Sequence, residues 1–179
     1  MKKLFAIFTV SLFASTILLS CGPSSDDAIK YNNDLVEQRT KVIEKENALT
    51  EAISKNMPEK LDILYSEMNK QIDESIEAVN KMYGFDGKTD MKDAVMKLLT
   101  TYKEVAGSEY KEMLKYTKIP DSLYTQEEDD KVMELSKKID DKLNKVDDDF
   151  IQAQKLFAEK YQFVPTAEVP IEKEEIKSK

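Results

Sequence analysis

Apolar and polar residues alternate with helical period over four long stretches of the chain, and no stretch of comparable length shows the alternation of a strand. The first runs from near Asp26 to about Lys55, with Ile29, Leu35, Val36, Val42, Ile43, Leu49 and Ile53 on one side. The second follows Pro58, a residue suited to a first helical turn. It carries Leu61, Leu64, Tyr65, Met68, Ile72, Ile76, Val79, Met82 and Tyr83 before Gly84 stops it. A turn, FDGKTD, precedes the third, from Asp90 to about Thr117, whose stripe is Met91, Val95, Leu98, Tyr102, Val105, Ala106 and Met113. Gly107 weakens that helix by ~1 kcal/mol relative to alanine. In the linker KIPDSLYTQ, Thr125 stands three residues before Glu128, the spacing of a capping box, so the fourth helix starts at Gln126. It reaches about Tyr161 through Val132, Leu135, Ile139, Leu143, Val146, Phe150, Ala153 and Phe157.

Each helix has one apolar face and is too long to hide that face by folding back on itself, so the four must cover one another. The predicted fold class is all-α: an antiparallel, up-down-up-down four-helix bundle over residues 26–164, with short links near 56–58 and 84–89. Residues 165–179 have charge and proline but no stripe and read as a flexible charged tail.

The start of the chain follows a different pattern. Met1, Lys2 and Lys3 lead into sixteen apolar or small hydroxyl residues, Leu4 to Leu19, which is the layout of a secretory signal peptide spanning residues 1–20. A spanning helix needs about 20 apolar residues, so the run is short for a permanent anchor, and no later segment approaches that length. Leu18, Leu19, Ser20 and Cys21 resemble the lipobox of bacterial lipoproteins, whose cysteine is joined to diacylglycerol and becomes the new N-terminus. The resemblance implies lipidation at Cys21, a lipidated tether over residues 21–25, and a membrane partner reached through that lipid. The competing reading makes Cys21 an ordinary thiol beside an uncleaved anchor, exposed to oxidation after export. Ser25, Asp26 and Asp27 fall in a run that resembles the serine-and-aspartate export signals of Bacteroidetes lipoproteins, which implies an outer-membrane location at the cell surface. A Ser/Asp cluster is also a good helix cap, and both readings can hold together. A periplasm-facing lipoprotein is the alternative destination.

Charge and composition narrow the function. The chain carries 27 basic and 35 acidic residues, and loss of Lys2 and Lys3 with the signal would move the net charge from −8 to −10. Such a chain repels nucleic acid and anionic headgroups. The absence of histidine excludes a His-based triad and the usual zinc and haem sites, and no glycine-rich phosphate loop occurs, so neither a cofactor nor a resident metal is expected. Glu127 to Asp130 and Asp147 to Asp149 lack the loop spacing of an EF-hand, and the former suits the dipole of a helix N-terminus. Tyr65, Tyr102, Tyr110, Tyr116 and Tyr161 offer stacking surfaces for sugars, but most lie on or beside the stripes and read as core.

The stretches AIKYNNDLVEQRTKV and FIQAQKLFAEKYQF resemble the first and last helices of a family of surface-annotated bacterial lipoproteins found in Bacteroidetes and spirochaetes. The resemblance implies an all-helical envelope lipoprotein and brings no functional residue.

One feature of the core is less bland. On a wheel at about 100° per residue, Asn32, Arg39 and Glu46 fall in the middle of the first helix's apolar arc, and Glu109 falls among Met91, Leu98, Tyr102 and Met113. A buried charge without a partner costs several kcal/mol, so these residues are expected to meet each other, Asp140, Asp147 or water. They form either an ion-pair layer that sets helix register, a polar pocket for a small ligand, or side chains that snorkel to solvent. The favoured function is a non-enzymatic interaction or structural lipoprotein with a possible protein partner; the alternative is a ligand-binding or sensing bundle.

Overall fold

The computed structural model describes residues 22–165, and among these the chain is all-helical. The signal segment, Cys21 and residues 166–179 of the tail lie outside the described residues. The helices are α1 (Ser25–Ser54), α2 (Pro58–Lys81), α3 (Asp90–Val105), α4 (Lys111–Thr117) and α5 (Gln126–Tyr161). A π-helical segment, Ala106–Tyr110, joins α3 to α4 without a break, so the predicted third helix is one rod with a different pitch in its middle. A short 3-10 turn, Asp121–Leu123, leads into α5.

The local chemistry explains most of these bounds. The Ser24 hydroxyl accepts from the Asp27 amide at 3.1 Å while the Asp27 carboxylate accepts from the Ser24 amide at 3.1 Å, closing a capping box that starts α1 at Ser25, one residue before the predicted start. Thr125 and Glu128 form the second box, at the predicted place. Helix α2 begins at Pro58 as expected but ends at Lys81, where Met82 turns extended. The Lys92 ammonium donates to the carbonyls of Asn80 (3.1 Å) and Met82 (2.6 Å), supplying donors to backbone groups the helix end leaves open. Tyr83, placed in the stripe by the sequence, therefore lies beyond the helix and is 91% exposed. Gly84 has a specific reason to be glycine: a Cβ there would stand 2.4 Å from the Lys88 carbonyl oxygen. The chain then reverses through Asp86 (φ 52°) and Gly87 (φ 69°), where positive φ favours glycine and tolerates aspartate.

Packing follows from the stripes. Helix α1 lies along α2, α3 along α5, and α2 beside α3. Cross-helix bonds join Gln38 to Ser75 and Lys45 to Glu67 between α1 and α2, Asp73 to Lys103 between α2 and α3, and Lys97 to Asp149 between α3 and α5. Where two bonds join one pair of helices, the numbers fall along one helix as they rise along the other. Leu35, Leu49, Leu61, Met68, Ile72, Leu98, Tyr110, Met113, Leu143 and Phe150 fill the interior. Such a core forms one continuous apolar body between the helices.

Candidate functional site

All four polar residues that the sequence aims inward are buried: Asn32, Arg39, Glu46 and Glu109. Asn32, Arg39 and Glu46 are seven residues apart on α1, so successive members stand about 10 Å apart along the axis, and each meets its own partners. The Asn32 side-chain carbonyl accepts from Gln154 at 3.0 Å. The Arg39 guanidinium grips Asp147 with two bonds, Nε at 2.8 Å and Nη2 at 2.9 Å to separate oxygens, and lies 5.5 Å from the Phe150 ring centroid. The Glu46 carboxylate accepts from Tyr102 at 2.9 Å and from Tyr110 at 2.7 Å.

The α5 partners of Asn32 and Arg39, Gln154 and Asp147, repeat the same spacing in reverse, and Asp140 continues it by seven more residues. Asp140 lies close enough for its charge to act on the Tyr110 hydroxyl. Sliding one helix a heptad past the other so that Arg39 stands opposite Gln154 would lose its ion pair with Asp147. The Arg39–Asp147 pair and the Asn32–Gln154 bond tie α1 to α5 at these two levels. The members of this polar seam are electrostatically continuous, since the Tyr102 hydroxyl feels Glu46 and Asp147 raising its pKa and Arg39 lowering it. Burial is the largest influence on Tyr102 and Tyr110, and with the Glu46 charge it drives both well above the ordinary 10.0, keeping them protonated donors.

The π-helical segment is what brings both tyrosines to one carboxylate. In a regular helix, eight residues turn the chain about 80° past two full turns, so Tyr102 and Tyr110 would diverge. A segment with wider turns absorbs about one residue, leaving the two rings within about 20° of each other. Tyr110 thereby takes the central place that the wheel assigned to Glu109. Glu109 moves to the edge of α5, where it pairs with Lys142 at 2.5 Å, a lysine 45% exposed. Burial pushes the Glu109 carboxyl up, but hydrogen bonds from Lys142 and Ser108 more than offset this and hold it below its usual value. At the start of the segment, the Tyr65 hydroxyl donates to the Ala106 carbonyl at 2.9 Å. Glu109 is thus buried as expected, and its ion partner, Lys142, was not among the partners the sequence suggested.

The other sequence candidates fall as follows. Ser25 donates through its hydroxyl to the Tyr161 carbonyl at 2.7 Å, tying the start of α1 to the end of α5. Asp26 is exposed in the first turn of α1, and Asp27 serves the cap, its carboxyl held below the usual value by the bonds from Ser24. Cys21 lies outside the described residues. In the acidic runs, Glu128 caps α5, Asp147 serves Arg39 and Asp149 pairs with Lys97 at 2.6 Å. Among the described residues no group of three His, Cys, Asp or Glu is arranged to hold a metal ion, and no helix is long and apolar enough to cross a membrane. Sequence reasoning read Tyr110 as core without its bond to Glu46, and missed Gln154 and the buried Ser75, whose hydroxyl donates to the Gln38 carbonyl at 3.2 Å. The matched seven-residue spacing of 32, 39, 46 against 154, 147, 140 would have pointed to Gln154.

Comparison with protein families, with curated proteins and with solved structures finds no match to this chain.

Proposed function

We propose that the protein is a bacterial outer-membrane lipoprotein, anchored by lipid on Cys21, whose residues 26–164 form an up-down-up-down four-helix bundle acting as a non-enzymatic structural or interaction module at the cell surface. The observation that carries the structural part is the polar seam. Asn32, Arg39 and Glu46 are engaged by Gln154, Asp147, Tyr102 and Tyr110 inside the bundle, an arrangement that suits a device for holding helices in register.

The anchor rests on the basic start, the apolar run and the lipobox-like LLSC. The position of α1 is consistent with it, because the helix starts four residues after Cys21 and leaves only a short tether. The reversed numbering of the cross-helix bonds supports the up-down order. A protein partner fits the outer face better than nucleic acid, given a net charge of −8 over the whole chain. The test of the anchor is detergent phase partitioning of the parent and Cys21→Ala. The parent should enter the detergent phase and the variant the aqueous phase; a variant that still partitions with detergent refutes the anchor.

A further inference from the structure

We propose that the end of the bundle carrying Tyr83 and Val164 is a lipid-facing surface that sits in the headgroup region of the bilayer beside the anchor. The proposal rests on the reading of Cys21 as lipidated, and it adds a defined orientation and contact surface.

Three chain segments meet at this end. Ser25, at the start of α1, bonds the Tyr161 carbonyl at the end of α5. Phe85, in the link between α2 and α3, packs with its ring centroid 5.2 Å from that of Tyr31 and, edge to face, 4.9 Å from that of Tyr161, and Asp86 accepts from the Tyr161 hydroxyl at 3.0 Å. Cys21 precedes Ser25 by four residues, a span of at most about 14 Å even when fully extended. A lipid on that residue therefore holds this end, and no other, against the membrane.

The surface suits that position. Tyr83 is 91% exposed and Val164 90% exposed, although both are apolar or amphipathic. Tyrosine rings favour the membrane–water interface, where the ring meets acyl chains and the hydroxyl meets water. Between the start of α3 and the end of α5 lies a groove of about 250 Å³ whose lining includes Met91, Leu156 and Phe157 together with Lys88 and Lys160. Lysines beside apolar side chains can lay their stems along them and keep the ammonium at the polar level. The same end carries Asp26, Asp86 and Asp90, of which Asp86 is paired with Lys160 at 3.3 Å. With no basic excess to attract anionic lipid, the surface fits zwitterionic headgroups.

The test uses full-length protein purified from membranes and reconstituted in phosphatidylcholine vesicles that contain doxyl-labelled phosphatidylcholine. The chain has one cysteine, which lipidation consumes, so a second cysteine is a unique labelling site. Tyr83→Cys, Val164→Cys and Leu123→Cys are each labelled with an environment-sensitive fluorophore; Leu123 is exposed at the far end of α5, a 36-residue helix about 54 Å long. Vesicle flotation reports the anchor and fluorophore quenching reports the surface. The expected result is flotation of all three, with quenching at least threefold stronger at 83 and 164 than at 123. Flotation with equal quenching at all three sites overturns the surface while the anchor stands. Failure to float overturns the anchor and the surface with it.

Discussion

Replacing Arg39 perturbs the seam at its most charged point. The Arg39 side chain is 3% exposed and its partner Asp147 18% exposed, so the pair is nearly but not wholly removed from water. Breaking a fully buried pair costs 3–5 kcal/mol, and the partial access of water to Asp147 relieves some of this, so Arg39→Leu should cost about 2–3 kcal/mol. Arg39→Ala also loses the packing of the side-chain stem between helices and should cost about 4 kcal/mol. For a chain of this size 1 kcal/mol shifts Tm by about 2–4 °C, so the leucine variant should melt about 5–10 °C below the parent and the alanine variant lower still. Adding Asp147→Asn to Arg39→Leu removes the stranded charge and should return about 2 kcal/mol, measured as a coupling in a double-mutant cycle. Thermal melts followed by far-ultraviolet circular dichroism provide the assay. Single variants that melt with the parent, or a double variant whose cost is the sum of the two singles, would refute the buried pair.

Further outcomes follow from other parts of the structure. Tyr102 and Tyr110 have pKa values raised above 10.0 in the folded state, so the unfolded chain releases these protons first; their contribution is fully present below about pH 10 and is lost as pH rises beyond it. Tyrosinate absorbance should accordingly show two residues that titrate only together with alkaline unfolding, and free titration of all tyrosines before unfolding would contradict their burial. Gly84→Ala should cost about 1–3 kcal/mol, because its Cβ would meet the Lys88 carbonyl, whereas Gly107→Ala, with open space around it, should stabilise by about 0.5–1 kcal/mol; melts of the two variants should move in opposite directions. Asp26→Ala with Asp27→Ala should leave the protein membrane-bound but protected from protease added to intact cells if the pair is a sorting signal, while equal cleavage of parent and variant would leave the pair as a helix cap alone.

The helices were legible because their stripes are long and their ends carry familiar chemistry. Pro58 and the Thr125–Glu128 box mark starts that the structure keeps, and Arg39 was traceable because a lone charge in an apolar arc requires a partner. The π-helical segment was not legible, since a wheel assumes one pitch throughout and one extra residue per turn exchanges Glu109 for Tyr110. Tyr83 misled for a related reason: its spacing continues the α2 stripe, but the close approach of Gly84 to Lys88 requires the chain to leave the helix before reaching it. The first cap falls at Ser24 because its hydroxyl and the Asp27 carboxylate bond each other's amides, a choice of residue that the serine-and-aspartate run alone left open.

The central claim, that this bundle is a lipoprotein held by Cys21, is tested most directly by the intact mass of the protein extracted from bacterial membranes. The account predicts a chain of residues 21–179 whose mass exceeds that sequence by a diacylglycerol and an N-terminal acyl group, with both additions located on Cys21 after digestion. A full-length chain, or residues 21–179 with an unmodified thiol at Cys21, would contradict it.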